Sequence, residues 1–111
     1  MKEIPEADWQ ALKKMKPKAL NTACQRALDK IDRIIKTKKP NAHQSFLGVW
    51  DIIQDENEII GQSFDDMRRS NATLKMGAML RFGLIGQEEL ETLTEETRER
   101  VKVVAGANKA L

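Results

Sequence analysis

Apolar residues recur three and four positions apart through most of this 111-residue chain, and strict alternation is missing. That spacing matches an α-helix of 3.6 residues per turn with its apolar side chains gathered on one face. Tyr is absent and β-branched residues do not cluster, so strands are not expected. The pattern predicts an all-α protein: a compact bundle of three main helices, about 18–37, 41–61 and 63–82, with short flanking helices.

The first flanking helix runs from about Glu6 to Met15, where Pro17 is expected to end it. In the second helix Leu20, Ala23, Cys24, Ala27, Leu28, Ile31, Ile34 and Ile35 fall on one arc, and Asp29–Arg33 and Asp32–Lys36 lie on the polar side at i,i+4 spacing. It stops at KTKKPN, where basic residues meet the carbonyl end and Pro40 blocks continuation. Asn41 is the expected N-cap of the third helix. Ala42, Phe46, Val49, Trp50, Ile53 and Ile60 form its main apolar arc. Ile52 and Ile59 make a smaller pair on a second side, and Leu47 stands alone on a third. Apolar positions off the core arc usually find cover, so Leu47, Ile52 and Ile59 are the candidate interface with another chain.

Ser63 is expected to open the fourth helix, with Asp65 and Asp66 in its first turn, and Gly83 to close it as the C′ residue. A fifth helix follows at about 87–93, and Thr94 is expected to cap a sixth, TEETRERVKVV. The whole chain reads as one domain, with a frayed tail from 105 to 111.

The fourth helix carries the sharpest question. Within its apolar arc of Phe64, Met67, Ala72, Leu74, Ala78, Met79 and Phe82 fall Arg68, Asn71 and Lys75, spaced i, i+3 and i+7. Inward charges need partners. Either their aliphatic stems cover the core while the heads pair at its rim, with Glu56 the best-placed acid, or Arg68, Asn71 and Lys75 line a cleft for an anionic ligand. Asn57 is the expected partner of Asn71, and Arg69 projects toward solvent.

Composition narrows the function classes. Residues 1–40 hold 11 Lys/Arg against 5 Asp/Glu, and residues 41–111 hold 8 against 12. The two halves can attract each other inside one fold. The alternative is nucleic-acid binding through Lys13, Lys14, Lys18, Lys36, Lys38 and Lys39. The segment MLRFGLIGQEELETLTEETRERV could suggest a helix-turn-helix, but either recognition helix would lead with glutamates toward the phosphates.

No apolar run approaches a membrane span, MKEIPEADW lacks the apolar region of a signal peptide, and one cysteine suits a reducing compartment. A cytoplasmic protein without membrane attachment is expected. His43, the only histidine, reads as a cap or surface residue, and Cys24 as a small apolar side chain. Asp51, Asp55 and Glu58 share a face, but a di-metal bundle needs histidines that the chain lacks, and DENEIIG departs from the calcium-loop pattern. Met67, Met76 and Met79 read as core filling. No metal, cofactor or catalytic residue is expected.

The segments ALNTACQRALDKI, FDDMRRSNATLKM and GLIGQEELETLTEETRERV together resemble small, uncharacterised all-helical bacterial proteins, over about Trp9 to Val101. The resemblance implies a bacterial origin and brings no activity, cofactor or site residue. The sequence therefore leads to a small non-enzymatic interaction or regulatory module that associates with itself as a homodimer or with another protein.

Overall fold

Pro17 does not end a helix. In the computed structural model, which describes residues 3–37 and 39–106, α1 runs unbroken from Glu6 to Lys36. Pro17 cannot donate to the carbonyl of Lys13, but both residues are exposed, so water can serve that carbonyl. The opposite side of the same turns buries Leu12, Met15 and Ala19. The expected pair of helices is one rod of 31 residues, about 46 Å long at 1.5 Å per residue.

After the turn through Pro40 comes α2, Ala42–Phe64, capped by Asn41, whose side chain accepts from the Gln44 N–H. Two helices joined by so short a link lie antiparallel. They meet where Ile34 packs beside Gly48 and where Lys30 pairs with the buried Glu56.

The expected helix over 63–82 is broken. Ser63 and Phe64 finish α2 instead of opening a new helix, and Asp66 follows in the left-handed region at φ 52°. Aspartate tolerates that conformation better than most residues. Asn71 then holds the turn from both sides: its amide donates to the Asp66 carbonyl, and its side-chain oxygen accepts from the Arg68 N–H. A single 3₁₀ turn over Arg69–Asn71 leads into α3, Ala72–Arg81.

Gly83 closes α3 as its spacing predicts, at φ 72°, with Leu84 N–H bonded to the Met79 carbonyl and Gly83 N–H to Leu80. This is the Schellman arrangement. A four-residue α4, Gln87–Leu90, is shorter than expected, and α5, Glu95–Gly106, completes the fold. Ala105 and Gly106 belong to α5; the rest of the expected frayed tail, 107–111, lies outside the described residues.

The protein is all-helical, with no strand among the described residues. Its shape departs from the compact bundle read from the sequence. The axes measure 53 × 31 × 24 Å, and the radius of gyration is 16.5 Å. A compact chain of this length would have a radius of about 13 Å. The core gathers at one end, around Leu12, Met15, Ala19, Met76, Met79, Leu90, Leu93 and Val101. The far parts of α1 and α2 extend from that base as a helical hairpin.

Inside the base α3 and α5 approach closely at Gly77. A Cβ there would overlap the side chain of Val104. Alanine is favoured over glycine in a helix by about 1 kcal/mol. Overpacking against a stiff β-branched neighbour costs about 1–3 kcal/mol, so Gly77→Ala is expected to lower stability in urea unfolding despite the helix-propensity gain. A stabilised variant would show that α5 can yield at this point.

Candidate functional site

The sequence-derived polar ladder does not assemble. Arg68 points to solvent and pairs with exposed Asp66 at 3.0 Å. Lys75 reaches back to the carbonyls of Gly61 and Gln62, at 3.3 and 3.2 Å, and closes the end of α2. Asn71 is consumed by the turn and does not meet the exposed Asn57. Glu56 is occupied by Lys30 of α1, not by Arg68. The four residues therefore serve separate structural contacts. The ladder required one helix through 63–82, and the break at 65–71 removes the shared face.

Arg69 is also engaged. It pairs with Glu6 at 3.2 Å, and its guanidinium stacks 5.1 Å from the centre of the Trp9 ring. The Gln10 amide, opposed by partial desolvation and helped by Arg69, holds the Glu6 carboxyl below the usual carboxylate range.

Of the lysines read as nucleic-acid contacts, Lys13, Lys14 and Lys18 sit on the first half of α1, while Lys36 and Lys39 stand at its far end. The two groups are separated by roughly 30 Å of helix and share no patch. Lys36 is paired with Asp32, whose hydrogen bond and charge hold the ammonium above its ordinary range. Lys38 lies outside the described residues. No metal-holding group of three acids, His or Cys occurs among the described residues, and no helix there is long and apolar enough to cross a membrane. A groove of about 420 Å³ between α1 and α4 is open and mixes Lys14 with Glu88 and Glu89.

The unusual surface is on the hairpin. Leu28 and Ile35 of α1 are 57% and 66% exposed, and Phe46 and Trp50 of α2 are 68% and 52% exposed. Leu47 and Ile53 add to them. The arc of α2 expected to face the core is thus split. Ile52 and Ile59, taken as interface candidates, are half-buried, while Phe46, Trp50 and Ile53 from the supposed core arc stand in solvent. Leu47 is exposed as anticipated. Cys24, expected within an apolar arc, is also exposed.

Helix geometry decides whether these residues share a face. At 100° per residue, Cys24, Leu28, Ile31 and Ile35 form a strip about 60° wide on α1, and Phe46, Trp50 and Ile53 form a similar strip on α2. On each helix the strip lies about 120° from the seam marked by Ile34–Gly48 and Lys30–Glu56, in the direction of chain advance. Antiparallel helices turn in opposite senses when viewed along one axis, so both strips come to the same side of the two-helix layer. The base lies on the other side. Asp8 and Met15, buried in it, project from α1 about 180° away from the strip. The hairpin therefore presents one continuous apolar face that its own base does not cover.

Other polar residues hold the base in place. Asp8, 1% exposed, accepts from the Thr94 N–H and hydroxyl, both at 2.7 Å, and from the Thr97 hydroxyl at 2.5 Å. Thr94 occupies the capping position of α5 as read from the sequence, but its hydroxyl is spent on Asp8. Arg26 forks onto the carbonyls of Phe82 and Gly83 at 2.6 and 2.7 Å, and Arg98 onto those of Leu90 and Leu93. All three contacts join distant or turn segments, a role that a helical wheel does not display.

No protein-family model, no curated protein and no solved structure matches the chain.

Proposed function

We propose that the protein is a non-enzymatic helical interaction module that acts through the open face of its hairpin. The observation that carries this reading is the single-sided apolar layer of Leu28, Ile31, Ile35, Phe46, Trp50 and Ile53, turned away from the base. The largest apolar patch on a monomeric protein is about 300–600 Å², and on this face Leu28, Ile35, Phe46 and Trp50 each leave more than half of their surface exposed. A surface of that kind rimmed by charge is suited to another protein surface of matching apolar chemistry.

The reading separates interface from core, and a polar variant tests it. Phe46→Ser, Trp50→Gln and Ile53→Gln together should keep helix content and lower the midpoint of thermal unfolding only modestly in dilute solution, because the isolated chain leaves these side chains 68%, 52% and 45% exposed. A large loss of cooperative unfolding under dilution would mean that the face belongs to the chain's own core, and the interaction reading would fail.

A further inference from the structure

We infer that the turn over 65–71 is a two-state joint. Closed, it folds the base back on its own hairpin. Open, it joins α2 and α3 into one continuous helix and passes the base of each chain, α3 to α5, to α1 of a second copy.

Two groups are ill at ease in the closed turn. Asp66 sits in the left-handed region at φ 52°, which side chains other than glycine adopt at a cost. Ser63, just before it, is wholly buried, and its hydroxyl has no hydrogen-bond partner among the described residues. A buried polar group left unpaired is destabilising. An uninterrupted helix relieves both. At 100° per residue Ser63, Asp66, Ser70, Thr73 and Gly77 fall within about 80° of one another, on the side away from Phe64, Ala78 and Phe82. Ser63 then stands in a polar row, and Asp66 takes ordinary right-handed backbone. Asp65 and Arg69 come to i,i+4 spacing with the acid first, the favourable order. The same residues thus satisfy two local structures, which is the condition for a segment with two states.

Opening gives up a short set of bonds. Asn71 loses its contacts with the Asp66 carbonyl and the Arg68 N–H, and Lys75 releases the carbonyls of Gly61 and Gln62. The Gln62 carbonyl then accepts from the Asp66 N–H in the helix ladder. The base meets α1 through Asp8 with Thr94 and Thr97, and through Arg26 with the carbonyls of Phe82 and Gly83. None of these contacts involves the joint, so α1 of a second copy can make every one of them again. Exchange of identical elements is a low-cost route to a dimer for this reason.

Chromatography with light scattering tests the joint. The full chain, held for days at submillimolar concentration and then diluted, should show a dimer that persists for hours, because separation requires each base to leave α1. Asp66→Ala disfavours the turn and favours the helix. With two joints per dimer it should raise the association constant roughly 100-fold. Asp66→Gly fits the turn and weakens the helix, and should lower that constant at least about tenfold. In the isolated wild-type dimer the backbone amides of 65–71 should exchange hydrogen more slowly than in the single chain. Wild type at single-chain mass throughout would overturn the inference. So would a dimer that separates at once on dilution, ignores both Asp66 variants, or leaves 65–71 as exchangeable as before. A dimer closed face to face through the hairpins would behave in that second way.

Discussion

Asp8→Ala is expected to lower the unfolding free energy by about 3 kcal/mol, the largest stability loss for a single polar side chain in this fold. The carboxylate accepts three hydrogen bonds from Thr94 and Thr97 at the start of α5. Removing it leaves a backbone N–H and two hydroxyls to find new partners, and each buried orphan costs about 1–3 kcal/mol. Thr97 is 2% exposed, so water does not readily replace the lost acceptor. The carboxylate also sits near the positive end of the α5 dipole, which alanine cannot answer. For a domain of this size the melting temperature should fall by about 10–20 °C.

Asp8→Asn keeps the volume and one acceptor and should recover part of the loss. Urea unfolding followed by circular dichroism measures both variants. A change below about 1 kcal/mol for Asp8→Ala would mean that the α5 start is held by packing alone.

The role of Asp8 shows what the chain's pattern conceals. An acid in the first turn of a helix reads as a partner for that helix's own dipole, and Asp8 is such an acid. Its contacts are with residues more than eighty positions away. Arg26 is similar: it sits on the polar side of a strongly amphipathic helix, yet it closes the end of α3 through two backbone carbonyls. Periodicity assigns a residue to a face but not to a distant partner.

Local signals fared better where the backbone itself demands the residue. Gly83 at positive φ and Asn41 at the start of α2 were readable because few residues satisfy those positions. The break at 65–71 was not, because Ser63, Asp65 and Asp66 suit a helix start as well as they suit a turn. The bond from Asn71 to Asp66 settles the matter in favour of the turn. Pro17 misled in the opposite direction. Burial of Leu12, Met15, Ala19 and Ala23 along one continuous side outweighs one missing hydrogen bond on the solvent side.

The helical wheel located the apolar arcs of α1 and α2 but not which edge of each would be covered. That depends on the seam. Gly48 permits close approach to Ile34, and Lys30 with Glu56 sets the rotation, so the seam takes Ile52 and Ile59 toward cover and turns Phe46, Trp50 and Ile53 outward. The exposed apolar face of the hairpin is the central feature of the molecule.

Trp50 reports on that face directly. The chain has two tryptophans, and Trp9 is half-buried beside Arg69 in the base. In a Trp9→Phe variant the fluorescence comes from Trp50 alone. The indole is half in solvent in the single chain and central in the apolar strip, where a docked surface would exclude water from it. Acrylamide should therefore quench Trp50 efficiently in dilute solution, with the emission at longer wavelength than a covered indole gives. Protection at every dilution would show the face closed within one chain and would contradict an open hairpin.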